Sequence, residues 1–521
     1  MIGRSDAERI RREINLDDAE GDHYMSTPTE RPTPAGETPS ALTAAQQFLR
    51  DAATKSADLV HRELIRKNMD SYDAAHMRGR ARIKNWEAAR RKCQEIKREA
   101  INNLDKYLLQ FEKKVLERGG HVFWAANGNE ACAYIKDLAV SRGVKTVVKS
   151  KSMVTEEIHL APALEAAGIR VWETDLGEFI VQLRNEAPYH IVTPAMHLDR
   201  QQIRDLFREK LGEDIPDADP QKLVALARRK LREAFFAAEM GISGANFLVA
   251  DSGAVAISTN EGNGRLSTSL PRIHVAVTGI EKVIPRLEDL GTLWPVLATS
   301  GTGQPITTYG TLVGGPKRAD EADGPEEFHV VLLDNGRSGL LANAEEREVL
   351  HCIRCGACLN ICPVYRNIGG HTYNTTYPGP IGSVLTPHLR GSEFQHLSYA
   401  SSLCGACTSV CPVNINLHHH LLHNRRDFTK AGATKTSGER TQFKLWRTAM
   451  LHPRLYALGG WMMRRSLRLI YGMGLAGTAL DPMRAWSRKR TPVPLPAQSF
   501  RARWKKELSK TEAGRNADGN Q

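Results

Sequence analysis

No stretch of about 18 uncharged apolar residues occurs in the 521-residue chain, so a membrane-spanning helix is not expected. The opening segment, MIGRSDAERIRREINLDD, lacks the apolar core of a secretory signal. Aromatic residues are scarce, at 6%, and the net charge of +12 is spread over helical segments at both ends, which argues against a nucleic-acid surface. Such a basic surface suits docking to an acidic redox partner. A Rossmann glycine fingerprint and a recognisable flavin motif are both missing, which argues against hydride chemistry by this chain alone. Cysteine is sparse outside two short runs, where only Cys93 and Cys132 occur, which argues against a disulfide framework. Reduced thiols and the missing signal predict a cytoplasmic protein.

What the chain has is seven cysteines in those runs: Cys352-Ile-Arg-Cys355-Gly-Ala-Cys358-Leu-Asn-Ile-Cys362-Pro363, then Cys404-Gly-Ala-Cys407-Thr-Ser-Val-Cys411-Pro412. The first has the spacing C-x2-C-x2-C-x3-C-P of bacterial two-cluster ferredoxins. Two-residue gaps let one tight loop direct three thiolates at one cubane, while the fourth cysteine, followed by proline, turns to the other cluster. This crossing assigns Cys352, Cys355, Cys358 and Cys411 to one cluster and Cys362, Cys404 and Cys407 to a second. The position three before Cys404 is Ser401. The second cluster is therefore either a [4Fe-4S] cluster with a non-cysteine fourth ligand, from Ser401 or the nearby His418-His419-His420 and His423 run, or a [3Fe-4S] cluster. Structural zinc needs four ligands per ion and fits seven cysteines closed by Cys-Pro poorly.

Taken in order, residues 1–40 carry Thr-Pro repeats that cannot bury a core and read as a disordered tail. Residues 41–119 are charged and helical in period, a lead-in ending at Gly119-Gly120. Across 120–320 strands and helices alternate, as in an α/β domain with a largely parallel sheet. Strands are expected at Val144–Lys149, Ile169–Trp172 and His190–Thr193, helices at Thr155–Ala167 and Pro220–Met240, and a hairpin at Asn246–Ala250 and Ala254–Ser258. After an acidic linker come a strand, Val330–Leu333, a turn at Asp334-Asn335-Gly336 and a helix, Ala344–Leu350, leading into the α-helical cluster domain of residues 335–425. The Gly- and Pro-rich stretch between the runs reads as an irregular covering loop. Residues 426–521 are basic and helical, either amphipathic at a membrane surface or packed on the cluster domain or a partner, and end in a frayed tail from about Thr491.

Two loops have a chemical look. Lys149-Ser150-Lys151-Ser152 lies between a strand and a helix, where N–H groups, hydroxyls and ammonium groups can hold an anion. Asn260-Glu261-Gly262-Asn263-Gly264-Arg265 follows a strand, and Glu261 or Arg265 can meet a ligand that its glycines admit. On spacing alone each is more often a solvated turn than a site, and no catalytic residue is assigned.

The chain resembles the lactate-utilisation protein B family over about residues 90 to 425, through VVKSKSMVTEEIHL, GISGANFLVADSGAVAISTNEGNGRLSTSLPRIHVAVTGIEKVIP, CIRCGACLNICPVYRNIGGHTY, YPGPIGSVLTP and LCGACTSVCPVNINLHHHLL. The resemblance implies a LUD-type α/β domain similar to the CoA-transferase and sugar-isomerase fold, two [4Fe-4S] clusters and a helical C-terminal region. It also implies the role of an iron–sulfur, ferredoxin-like electron-transfer subunit in a complex oxidising L-lactate to pyruvate, an oxidoreductase component not catalytic alone, with the other subunits as partners and at most peripheral contact with the inner membrane face. Another hydroxy-acid oxidoreductase, or a small-acid enzyme centred on the α/β domain, is the alternative.

Overall fold

Apolar residues at i, i+3, i+4 and i+7 make a helix that must cover its stripe, and four helices at the start of the described chain do so: Ala44–Ala57, Leu59–Arg82, Trp86–Asn102 and Leu104–Glu117. In the last, Leu104, Tyr107, Leu108, Phe111 and Val115 are buried along one face. The computed structural model describes residues 42–508 except 214, 433–436, 489 and 492–493. The segment 1–40, read as a tail, lies outside the described residues.

Ten strands follow among the described residues: β1 (His121–Ala125), β2 (Thr146–Lys149), β3 (Arg170–Glu173), β4 (Met240–Ser243), β5 (Phe247–Val249), β6 (Ala254–Thr259), β7 (Ile273–Gly279), β8 (Val283–Ile284), β9 (Tyr309–Val313) and β10 (Glu327–Leu333). Six form one sheet in the order β1-β10-β7-β4-β2-β3, every pairing parallel. A parallel sheet is covered on both faces, so its strands are apolar throughout rather than alternating. All seven residues of β7 are buried. On β2 the side chains still separate by face. Val147 packs in the layer of Ile135, Leu164, Ile242 and Val275, and Val148 in the layer of Phe179, Phe207 and Leu231. The remaining strands form a second sheet, β8-β5-β6-β9, with β5 and β6 as an antiparallel hairpin.

One apolar cluster runs from the N-terminal helices (Ile65, Phe111) through the second sheet (Val255) to the cysteine segment (Leu359, Leu385, Ile415). The cysteine runs thus share a core with the α/β portion. Contacts divide the chain into residues 1–431 and 432–521. The second unit holds helices Ser437–Leu451 and Pro453–Gly472, with Trp446, Trp461, Met462 and Met463 exposed. A further short helix, Phe500–Arg503, occurs where the sequence suggests only a frayed tail.

Several local expectations are corrected. His190–Thr193 is not a strand, because the His190 Nδ1 accepts the backbone N–H groups of Val192 (3.1 Å) and Thr193 (3.3 Å). The helix expected over Thr155–Ala167 is two, Met153–Glu157 and Leu160–Glu165, split at the left-handed His159 (φ 53°). Pro162 cannot donate to the Ile158 carbonyl, which removes one hydrogen bond that a continuous helix would make there. The long helix stops at Ala237, because Met240 is already paired in β4. The lead into the first cysteine is a 3-10 turn, Arg347–His351, and the second half of the supposed covering loop is the helix Gly379–Arg390.

Gly241 sits in β4, where an added Cβ would lie 1.7 Å from the Ser267 carbonyl oxygen. Gly241→Ala should destabilise the chain by about 3 kcal/mol, the range of severe overpacking, seen as a lowered thermal-unfolding midpoint. An unchanged midpoint would show that the Ser267 backbone yields freely.

Candidate cluster-binding site

A tight loop that turns every third side chain inward needs residues in the left-handed region. In the first cysteine run Arg354 (φ 59°) and Gly356 (φ 77°) supply it on either side of Cys355, before the helix Ala357–Ile361. The second run repeats the design: Leu403 (φ 55°) and Gly405 (φ 77°) flank Cys404, before the helix Ala406–Val410. A non-glycine residue pays for this conformation, so Arg354 and Leu403 carry local strain that the loop sustains.

The loops bring the cysteines into two groups. Cys352, Cys355, Cys358 and Cys411 line one cavity, walled by Ile191, Ile353, Ile381, Val413, Ile415 and Leu417. The Arg354 N–H donates to Cys352 Sγ (3.4 Å) and the Ile415 N–H to Cys411 Sγ (3.3 Å), which are contacts that stabilise thiolate sulfur. Burial, with Cys352 acting in the same sense, pushes the Cys411 thiol up to about 12. Around the second group, burial pushes Cys407 up to about 11, with Cys362 and Cys404 also raising it, while backbone N–H and Ser402 hydrogen bonds hold Cys404 below its ordinary value. Cys404 is exposed, whereas Cys362 and Cys407 are buried. Converging sulfurs, an apolar wall and amide donors fit an iron–sulfur cluster, because apolar burial leaves neighbouring thiolates needing metal charge.

Cationic groups gather beside Cys352. Burial lowers buried Lys97 to about 7 and buried Lys282 to about 8, and the Cys352 sulfur acts on both in the opposite sense. The Lys97 Nζ is tied to the backbone oxygens of Glu281 (2.5 Å) and Val283 (3.3 Å). Arg354 lies over the Tyr377 ring at 4.3 Å and pairs with Glu281 at 3.5 Å.

Glu281 joins this loop to the sheet. It follows β7, and its other oxygen accepts from Arg337 Nε (2.7 Å), just past β10. Arg337 also holds Glu157 through two nitrogens (3.0 and 2.8 Å), and Glu157 accepts from Asn335 Nδ2 and the Tyr377 hydroxyl, both at 2.7 Å. Arg337 and Glu281 are each 1% exposed, so water does not screen the pair. Burial opposes charge on Glu281, but Arg337, Arg354 and Lys282 bring its carboxyl down to about 2. Nothing in the spacing flagged Glu157, Glu281, Arg337 or Tyr377, because the partners lie 56 to 220 residues apart.

The two suspected loops are placed as follows. Lys149 is wholly buried against Glu173 (2.9 Å), Glu156 (3.1 Å) and Glu178 (3.8 Å), and although burial disfavours its charge, these carboxylates raise its basicity. The Ser150 N–H donates to the Ile242 carbonyl (2.8 Å) and Lys151 to Val192 O (2.5 Å), and Ser152 caps the helix Met153–Glu157. Glu261 accepts from the Leu176 N–H (3.4 Å), and burial and then Asp175 raise its carboxyl while Lys151 lowers it. Arg265 stacks over Tyr309. In the histidine run, His418 meets Thr408 (2.7 Å), while His420 lies between Glu346 and Glu348, each at 2.9 Å, and His423 faces Glu346.

Residues 108–333 match the family described as LUD domain, 348–415 the 4Fe-4S dicluster domain, and 418–509 the family "Lactate utilisation protein B, C-terminal". Lactate utilization protein B of Bacillus thuringiensis (strain Al Hakam) is 44% identical over 427 residues, 82% of this chain and 89% of that protein. The proteins of the same name from Bacillus cereus (strain AH187) and Bacillus anthracis (strain A0248) match to the same extent, 44% over 427 residues, with 82% and 89% covered. A crystal structure of a duf162 family protein from Deinococcus radiodurans aligns over 44% of this chain and 98% of its own, at 13% identity and a TM-score of 0.25.

Arg337→Met should cost about 3–5 kcal/mol by leaving Glu157 and Glu281 as uncompensated buried charges, read as a lower denaturation midpoint. Arg337→Lys, which keeps the charge but loses the planar fork, should recover only part of it. A midpoint unaffected by Arg337→Met would show that the ion network does not hold the sheet edge to the cysteine loop.

Proposed function

The chain belongs to the lactate-utilisation protein B family and has an iron–sulfur role in lactate utilisation, and from this we propose that it is the electron-transfer subunit of a complex oxidising L-lactate to pyruvate. In this reading Cys352, Cys355, Cys358 and Cys411 hold one [4Fe-4S] cluster, and Cys362, Cys404 and Cys407 hold the second. Other subunits of the lactate-utilisation system are its partners, and it works in the cytoplasm or at the inner membrane face. Among the described residues no helix is long and apolar enough to cross a membrane.

The observation that carries the reading is the pair of left-handed cysteine loops, which bring the seven cysteines into two groups separated by little protein. Cys358 is within electrostatic reach of Cys352, Cys355 and Cys411 on one side and Cys407 on the other. Bound clusters would supply one-electron carriers, so that a two-electron oxidation could be passed on singly. The chain's residues would set the asymmetry. The Ile191, Ile381 and Leu417 side chains keep water from the first site, and Arg354 places positive charge beside it, with buried Lys282 and Lys97 nearby. Exposed Cys404 leaves the second site near solvent, where an external donor or acceptor can approach. The Glu281–Arg337–Glu157 network holds the first loop against the C-terminal ends of β7 and β10, the edge where parallel α/β sheets place their ligands.

Purified without oxygen with its partner subunits, the chain should show cluster reduction by EPR and visible absorption when L-lactate is added. Cys355→Ala or Cys407→Ala should abolish it. Clusters that form yet stay oxidised with every partner present would remove the lactate assignment. Arg354→Met should lower the midpoint potential of the first cluster by on the order of tens of millivolts, as expected for removing one nearby positive charge. An unchanged potential in a redox titration would show that Arg354 serves packing alone.

A further inference from the structure

We propose that Ser401 Oγ is the fourth ligand of the second cluster, making it a [4Fe-4S] cluster bound by Cys362, Cys404, Cys407 and a serine oxygen. The inference rests on the reading of the seven cysteines as cluster ligands and goes beyond it by identifying the missing group.

The argument is the repetition of one loop geometry. In the first loop, the residue three before the central cysteine is Cys352, whose Sγ accepts the N–H of Arg354, two residues on, at 3.4 Å. In the second loop the corresponding residue is Ser401, and its Oγ accepts the N–H of Leu403, again two residues on, at 3.1 Å. The acceptors Cys352 and Ser401 precede two left-handed pairs with nearly equal angles, 59° and 77° for Arg354 and Gly356, and 55° and 77° for Leu403 and Gly405. The same backbone path therefore presents the Ser401 oxygen where its counterpart presents a sulfur. The shorter N–H contact matches the smaller radius of oxygen. The Ser401 hydroxyl accepts this N–H, and among the described residues no acceptor takes its proton.

His420 is held by Glu346 and Glu348, whereas His418 has its Nδ1 on the Thr408 hydroxyl and its Nε2 facing Gly405 of the second loop, so a nitrogen ligand from His418 is the outcome that an unchanged Ser401→Ala chain would indicate. His423 faces Glu346, on the same helix as His420.

Ligation replaces the Ser401 O–H bond by an Fe–O bond. The released proton passes to water at the half-buried Ser401 site, and no change in oxidation state is required. Bound iron makes this release favourable, as metals do for coordinated hydroxyl groups and water. An oxygen donor is harder than a thiolate and favours the oxidised state, so the second cluster has the lower potential of the two sites.

The test uses the full chain, reconstituted without oxygen and assayed for iron, EPR and reduction potential. Wild type should hold about eight irons, two cubanes' worth. Ser401→Ala should lose the corner iron and show, when oxidised, the EPR signal of a three-iron cluster. Ser401→Cys should keep the four-iron cluster and shift its potential upward. Three results overturn the proposal: a wild-type chain already carrying a three-iron cluster, a Ser401→Ala chain with unchanged iron and EPR, or a Ser401→Cys chain with unchanged potential. Cys407→Ala is the control for the reading beneath it. If that variant leaves the iron content intact, the cysteine assignment fails and the Ser401 proposal falls with it. If Cys407→Ala removes a cluster while Ser401→Ala changes nothing, only the serine ligand is wrong.

Discussion

A guanidinium without water must be surrounded by carboxylates, and Arg337 satisfies that condition at the seam of the molecule. It lies just past β10, grips Glu157 from the helix after β2 and Glu281 from the turn after β7, and through Glu281 reaches Arg354 inside the first cysteine loop. Two groups that burial alone would neutralise stay charged because each supplies the other's counter-charge. The orientation of the cysteine loop against the sheet is thereby set by charges that no solvent can screen. Tyr377 closes the arrangement, giving its hydroxyl to Glu157 and its face to Arg354.

The same seam explains how an α/β scaffold and a cysteine-rich segment come to share one core. The apolar cluster that contains Ile65, Phe111 and Val255 also contains Leu359, Leu385 and Ile415. Hence the wall that keeps water from Cys352, Cys355, Cys358 and Cys411 is contributed partly by Ile191, from the α/β portion. A carrier built this way has its environment fixed by residues far from its ligands, which is one way a protein sets a reduction potential. The second cysteine group, with Cys404 exposed, is placed differently, and the two groups differ in their access to solvent although their loops share one backbone design.

Much of this architecture is legible in local pattern. Cys352 to Cys362 and Cys404 to Cys411 announce their loops by spacing, because a cubane demands thiolates at fixed intervals and few other needs do. The strands around Val147, Val171 and Val330 and the hairpin at Asp251-Ser252-Gly253 follow from apolar runs and turn residues. His190–Thr193 misleads, because its apolar look hides a histidine that takes the strand's backbone donors. Thr155–Ala167 misleads through a single proline. β7 is wholly buried and offers no alternation to read.

What the sequence determined alone was therefore chemistry that depends on neighbours in the chain: cysteine spacing, helix stripes, and the serine standing three residues before Cys404. Tertiary structure decided what depends on distant partners. Lys149, in a loop with the look of an anion site, is committed to Glu156, Glu173 and Glu178. Arg337 finds carboxylates 56 and 180 residues away. Spacing along a chain encodes only what a few turns of backbone can bring together. The pairing of buried charges depends instead on which elements the fold stacks side by side, and that is settled when the sheet and the core close.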